Sequence, residues 1–133
     1  MSPTCSTCRA ESIGFTVPEQ LATHAPAGMS YAAACRVCLT VDPLDELPGD
    51  GGDLGNISEA LPVDQDHAAA VMLIVGLLES LALNRQHIEA IVDYLEAEGV
   101  DALLVLHRLA DDTSLRPALD IDRRVYQLEQ LLG

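Results

Sequence analysis

The chain has 133 residues and a formal net charge of −14, because seven Arg and no Lys stand against twenty-one Asp and Glu. This length suits one domain, or a small module joined to a slightly larger one. With no Trp, one Phe and three Tyr, the chain lacks the aromatic side chains that a stacking platform for nucleic-acid bases needs. The acids spread evenly from Asp42 onward, so we interpret them as a charged coat on folded helices and not as a disordered tail.

Two matched cysteine pairs stand near the N-terminus, CSTC at residues 5–8 and CRVC at residues 35–38. Two residues between cysteines let a tight turn aim both sulfurs at one point, and two such turns clasp an ion from opposite sides. Four thiolates favour one closed, structural Zn²⁺ site with no open coordination position. The predicted metal ligands are Cys5, Cys8, Cys35 and Cys38.

Two departures from the common zinc pattern keep alternatives open. The 26 residues between the pairs exceed the usual interval of roughly 15 to 20. Arg9 and Leu39 follow the pairs at positions where such turns usually carry Gly, which adopts positive φ easily. Iron in a rubredoxin-like site, two disulfides and a redox dithiol are therefore alternatives. His24 is a further candidate ligand, which we interpret as a turn residue beside the site.

Short strands are predicted around the cysteine pairs. The segment IGFTV alternates and is stopped by Pro18, EQLATH suits one helical turn, and YAAA and LTV lead into and out of the second pair. Residues 1–44 are therefore predicted to form a zinc-ribbon module of short antiparallel strands. Residues 45–56, DELPGDGGDLGN, are predicted to be a Gly-rich acidic linker.

Residues 57–133 are predicted to form a bundle of about four main helices, so the fold class is α+β. The first of them begins at Asp64 or Asp66, runs to about Ala82 and is apolar nearly all round, which predicts a central buried helix. Gly99 is predicted to end the next helix at its C′ position. Helix starts are predicted at Asn56, for a short turn with Glu59 in a capping box, and at Asn84, Asp101 and Asp120.

The remaining polar groups do not form a catalytic signature. There is no nucleophile–base motif and no phosphate-binding Gly-rich loop, so we predict that the protein is not an enzyme. DQDH at residues 64–67 is interpreted as a helix start, DGGD at residues 50–53 as linker, and His87 and His107 as packed or solvated side chains. In DIDRR, Arg123 and Arg124 are predicted either to pair locally or to contact a protein partner.

No export or membrane signal is evident. The N-terminus has no basic start followed by an apolar run. The longest apolar stretch, residues 68–78, is 11 residues long, whereas a membrane span needs about 20. We expect a cytoplasmic protein without a membrane segment, whose cysteines are thiols and not disulfides.

The segments CSTC, FTVPEQL, CRVCL, GLLESLALNR and DIDRRVYQLEQLL resemble a family of small haloarchaeal proteins of unknown function. That family has an N-terminal four-cysteine zinc ribbon and a C-terminal helical region. The resemblance implies the same four metal ligands and implies no activity. The acidic, Lys-free and Ala-rich composition is likewise typical of cytosolic proteins of salt-loving archaea.

We therefore expect a zinc-binding, non-enzymatic protein-interaction or adaptor protein of a halophilic cytoplasm. The alternative is a nucleic-acid- or transcription-associated zinc ribbon, which its electrostatics disfavour because phosphate contacts need clustered Lys and Arg. An enzyme is the third hypothesis. Protein partners are expected, and a homodimer is an alternative, because the apolar helix needs covering on every side.

Overall fold

A computed structural model describes residues 3–49 and 51–132 of the chain. Three strands come first, followed by four main helices, so the predicted α+β architecture is confirmed. The elements are β1 (Ser12–Thr16), 3-10 helices at Glu19–His24 and Pro26–Gly28, β2 (Tyr31–Cys35), β3 (Val41–Leu44), a 3-10 helix at Leu54–Asn56, α1 (Gln65–Leu78), α2 (Leu81–Ala97), α3 (Ala102–Ala110) and α4 (Ile121–Leu132).

The three strands form one antiparallel sheet in the order β1-β2-β3. Phe15 lies opposite Ala32, and Ala33 lies opposite Asp42. The second cysteine turn joins β2 to β3, while the first turn precedes β1 and is closed by an antiparallel bridge between Thr4 and Glu11. The sheet therefore brings the two turns to the same end of the ribbon.

Helix α1 is the centre of the core, as predicted from its apolar pattern. Ten of its 14 residues are buried. Asp64 caps its start by accepting hydrogen bonds from the N–H groups of Asp66 and His67. Because the apolar surface of α1 is covered by its own chain, it does not require a second copy of the protein.

Two predicted helix starts are wrong. Helix α2 begins at Leu81, so Asn84 lies inside it; the Asn84 side-chain amide instead donates to the carbonyl of Leu77 near the end of α1, which stops before the predicted Ala82. Asn56 ends a 3-10 helix that is capped by the carboxylate of Asp53. In neither place does the Asn cap the helix that its local pattern indicates.

The other helix boundaries agree with the sequence. Gly99 has a φ of +84°, and the N–H of Val100 behind it donates to the carbonyl of Leu95 at 2.8 Å. Asp101 accepts from the N–H of Leu104 at the start of α3, and Asp120 accepts from the N–H of Arg123 at the start of α4. These caps satisfy helix-end groups that have no partner within the helix.

Strands and helices share one apolar core. Its buried side chains include Phe15 and Val17 from the ribbon as well as Met72 and Leu95 from the helices. Between them, Gly52 donates from its N–H to the carbonyl of Gly14 at 3.1 Å and so covers the edge of β1. Asp50, in the segment predicted to be a linker, lies outside the described residues. The domain boundaries at residues 44 and 56 stay a prediction.

In the described part of the chain, no helix combines the length and the apolar character needed to cross a membrane.

Candidate metal centre

The two cysteine turns have the same local construction. In the first, the N–H groups of Thr7 and Cys8 donate to the sulfur of Cys5 at 3.3 and 3.4 Å. In the second, the residues at the equivalent places, Val37 and Cys38, donate to the sulfur of Cys35 at the same two distances. Each turn thus directs backbone N–H dipoles at its first sulfur, an arrangement that stabilises a thiolate.

The four sulfurs converge on one point. All four Sγ atoms lie within 4.8 Å of one another. Two of these distances join the two turns, 3.5 Å between the sulfurs of Cys5 and Cys38 and 3.4 Å between those of Cys8 and Cys35. Four sulfurs at about 2.3 Å from a tetrahedral ion would be about 3.8 Å apart, whereas a disulfide needs about 2.05 Å. The donor set and its spacing fit one four-coordinate metal ion.

The four thiols differ in burial, and three of them have shifted pKa values. Cys5, Cys35 and Cys38 are buried, whereas Cys8 is exposed. Burial raises the pKa of Cys35 and that of Cys38. Burial also acts to raise the pKa of Cys5, but the N–H donors of Cys8 and Thr7, together with the neighbouring thiols, outweigh it and lower that pKa to about 6. A metal ion must displace the protons of the buried thiols, so metal affinity falls with falling pH.

The residues after each pair carry the same unusual backbone. Arg9 has a φ of +66° and Leu39 a φ of +65°, and in the described residues these are the two non-glycine positions with positive φ. The chain therefore makes the turns that glycine usually allows, at a cost of about 1–2 kcal/mol per residue. Leu39 puts its side chain into the apolar core, which accounts for the larger residue there. The missing glycines do not prevent the two turns from forming.

Polar contacts outside the cysteines hold the first turn on the sheet. Ser6 donates from its N–H and from its hydroxyl to the carboxylate of Asp42 in β3, at 3.1 and 2.7 Å. Near the second turn, the hydroxyl oxygen of Thr40 lies 3.0 Å from the sulfur of Cys38. Sequence reasoning missed all three residues. Ser6 and Asp42 are 36 residues apart and belong to no recognisable spacing pattern.

The second turn is also joined to the helices. The N–H of Arg116 donates to the carbonyl of Val37 at 2.8 Å, and the N–H of Ala118 donates to the carbonyl of Cys38 at 3.0 Å. Two backbone hydrogen bonds thus hold the connection between α3 and α4 against the second turn. A groove of about 240 Å³ opens beside this pairing; its lining includes Thr7, Leu39, Val75 and Leu119.

A family model describing a family of unknown function, DUF6276, matches residues 4–132. The chain belongs to this family. The match includes all four cysteines and every strand and main helix, which confirms the predicted kinship with a family of unknown function. Nothing among curated proteins or solved structures matches the chain.

The other predicted site residues of this DUF6276 protein lie on α4. Arg123 is exposed and Arg124 is half-buried. The Arg124 guanidinium donates to the side-chain oxygen of Gln127 at 3.4 Å. Within the part of the chain that the structure describes, neither guanidinium forms an ion pair. The predicted local pairing with acids is therefore not seen in that part, and the partner-binding role of Arg123 and Arg124 stays a prediction.

His24 does not join the cysteine cluster. The group of side chains in the described residues that could hold a metal ion contains the four cysteines and not His24. The Nδ1 atom of His24 instead lies 3.1 Å from the Nδ1 atom of His87 on α2. His67 and His107 each contact a carboxylate, that of Glu98 and that of Glu129.

Proposed function

We propose that this DUF6276 protein holds one structural Zn²⁺ ion on Cys5, Cys8, Cys35 and Cys38 and acts as a non-enzymatic protein-interaction or adaptor protein. The observation that carries the metal assignment is the convergence of four sulfurs from two identically built turns, all within 4.8 Å. Zinc is the metal most often held by four thiolates at a closed tetrahedral site. Iron uses the same ligands, so the experiment below measures both metals.

The site supports a structural role and not a catalytic one. The protein supplies all four ligands, so no coordination position is left for water or substrate. The ion would link the two cysteine turns. The first turn is held on β3 by the bond between Ser6 and Asp42, and the second turn is held on the α3–α4 connection. Metal binding would therefore contribute directly to the folding free energy of this part of the chain.

The charge distribution favours protein partners over nucleic acid. In residues 1–40, Arg9 and Arg36 balance Glu11 and Glu19, and Arg36 donates to the Glu11 carboxylate at 2.7 Å. The ribbon therefore offers no cluster of free cations for phosphate groups. On the acidic remainder, Arg123 and Arg124 are the adjacent basic pair that a partner with complementary acids would contact.

The many acidic residues after residue 40 support the proposal that the protein works in a halophilic cytoplasm. Nineteen acids against five Arg after residue 40 repel one another at low ionic strength, and salt screens that repulsion. The absence of Lys from the whole sequence fits the same setting. The expected behaviour is a fold that gains stability as salt concentration rises.

Metal content tests the proposal most directly. The protein is expressed without added metal, purified in high salt, and analysed for zinc and iron per chain by native mass spectrometry. We expect one zinc per chain, lost when Cys5 and Cys35 are replaced by Ser and kept in a Ser6→Ala control. One iron per chain would change the metal assignment, and no metal with free or oxidised thiols would reject the site.

The adaptor role needs a separate test. Cross-linking in a lysate of the source cells, followed by mass spectrometry, compares the wild type with Arg123→Glu/Arg124→Glu. Arg85→Glu is the matched control, because Arg85 already pairs with Glu89 at 3.0 Å. We expect specific partners that the double variant loses and the control keeps. An identical partner set for all three proteins would reject the Arg pair as the contact.

A further inference from the structure

Two histidines from distant parts of the chain face each other beside the ribbon. His24 ends the 3-10 helix at Glu19–His24, in the interval between the cysteine pairs, and His87 lies on α2. Their Nδ1 atoms are 3.1 Å apart although the residues are 63 positions apart in sequence. The rings are tilted by 56°, with their centroids 5.4 Å apart. Both side chains are half-buried, so solvent reaches the pair.

This pair differs from the other histidines. His67 lies 3.3 Å from the Glu98 carboxylate, and His107 lies 2.8 Å from the Glu129 carboxylate. Across residues 3–49 and 51–132, neither His24 nor His87 forms an ion pair with a carboxylate. The nitrogen of one ring is thus directed at the nitrogen of the other and not at an acid.

Two imidazole nitrogens at this distance suit one metal ion. A transition-metal ion binds imidazole nitrogen at about 2.0–2.1 Å, so two nitrogens 3.1 Å apart subtend an angle of about 100° at the ion. That angle lies between the octahedral and the tetrahedral values. We propose that the Nδ1 atoms of His24 and His87 form a second, exchangeable site for a borderline divalent transition-metal ion such as Ni²⁺, Cu²⁺ or Zn²⁺, with water completing the coordination.

The proton balance of binding is simple. Without metal, one ring carries its proton on Nδ1 and donates it to the Nδ1 lone pair of the other. The ion replaces that proton between the rings. The displaced proton moves through solvent to Nε2 of its own ring, which leaves two neutral imidazoles with their Nδ1 lone pairs on the metal. No other group has to change its charge, and no oxidant or reductant is involved.

The ion would fasten the segment between the cysteine pairs to helix α2. That segment already packs on α2, so the site is formed before metal binds and is absent from the unfolded chain. A ligand that binds only the folded state stabilises it. The site contains no cysteine, and the proposal therefore does not rest on zinc at the four thiolates.

Nickel titration tests the proposal. An untagged protein, with its metal content measured as purified, is titrated with NiCl₂ by calorimetry in about 1 M KCl, where the Debye length of about 3 Å weakens diffuse binding to the acidic surface. We expect one Ni²⁺ per chain beyond the metal already held. His24→Ala and His87→Ala should each weaken this binding at least tenfold, whereas the matched control His107→Ala should bind as the wild type does.

A second measurement separates binding from misfolding. Circular dichroism confirms that each variant is folded, and His87→Gln replaces His87→Ala if the latter unfolds. Added Ni²⁺ should raise the Tm of the wild type and of His107→Ala and leave the Tm of the His24 and His87 variants unchanged. The proposal is overturned if the wild type binds no additional nickel, or if the additional nickel remains in both His24→Ala and His87→Ala.

Discussion

The N–H of Ala118 donates to the carbonyl of Cys38 at 3.0 Å, which joins the α3–α4 connection to a residue of the metal centre. The neighbouring bond from Arg116 to Val37 is 2.8 Å long. A change in the second cysteine turn is therefore expected to move the α3–α4 connection, which contains no cysteine. Two of the predictions below concern such links between the ribbon and the rest of the chain.

The first prediction is that metal removal loosens the α3–α4 connection. Removing the proposed ion with a chelator would free the second turn, so the amides of Arg116 and Ala118 should exchange with solvent faster. Hydrogen exchange read by NMR measures this. The amide of Val100, bonded to Leu95 at the end of α2, is the internal control and should keep its protection. Equal loss at Val100 would show global unfolding and contradict a local link.

The second prediction concerns the positive φ angles after each cysteine pair. Arg9 is exposed, so Arg9→Gly relieves strain without losing buried surface and should raise the free energy of unfolding by about 1 kcal/mol. Leu39 is 2% exposed, so Leu39→Gly should lower the free energy by about 2 kcal/mol or more despite the same relief. Urea denaturation of the metal-loaded proteins in high salt provides both values. A gain from Leu39→Gly, or a loss from Arg9→Gly, would contradict this account.

The third prediction concerns a contact that weakens in acid. It joins Ser58, which follows the 3-10 helix at Leu54–Asn56, to Asp112, which follows α3. Asp112 accepts from the hydroxyls of Ser114 and Ser58, each at 2.6 Å. These bonds, with that from the Ser114 N–H, lower the pKa of Asp112 below its ordinary 3.8. The contribution of Asp112 to stability is therefore fully present above pH 3.8 and is lost as pH falls through its folded pKa.

Ser58→Ala tests this contact. The variant removes one donor, so the pKa of Asp112 should move up towards 3.8, and acid should destabilise the variant less steeply than the wild type. Carboxyl chemical shifts measure the pKa, and the unfolding midpoint as a function of pH measures the stability. Ser80→Ala is the control, since Ser80 provides no side-chain cap. An unchanged Asp112 titration would show that the Ser58 bond does not stabilise the carboxylate.

The fourth prediction is that the acidic Gly-rich segment packs against β1 at Gly52 and is not a free linker. A Cβ at Gly52 would lie 2.7 Å from Cγ2 of Ile13, so Gly52→Ala should destabilise the protein by about 1–3 kcal/mol. Glu46→Ala, at an exposed position of the same segment, should change little. Thermal unfolding compares the two variants. A neutral Gly52→Ala would support the predicted linker with independent parts on either side.

Short-range patterns were sufficient for much of the molecule. The caps at Asp64, Asp101 and Asp120 and the stop at Gly99 were predictable because each acts within one helical turn. The burial of α1 followed from a run of apolar residues with no polar face. The clustering of the four cysteines followed from their repeated spacing, since each pair is a local turn.

The same local rules failed where a side chain serves another element. Asn84 has the chemistry of an N-cap, yet its amide satisfies the carbonyl of Leu77 in the preceding helix. Asn56 has the spacing of a capping box, yet Asp53 caps a 3-10 helix that ends at Asn56. A capping residue can satisfy either neighbour, and only the path of the chain decides which.

The sequence by itself determined the α+β class, the clustering of the four cysteines and the central helix, because composition, spacing and amphipathic pattern are properties of contiguous segments. Only the tertiary structure decided which distant groups meet. The bond of Ser6 to Asp42, the pairing of Ala118 with Cys38 and the contact of His24 with His87 join residues from separate elements. The first of these contacts depends on how the ribbon itself folds, and the other two depend on how the ribbon packs on the helices. Both depend on the whole apolar core rather than on any local pattern.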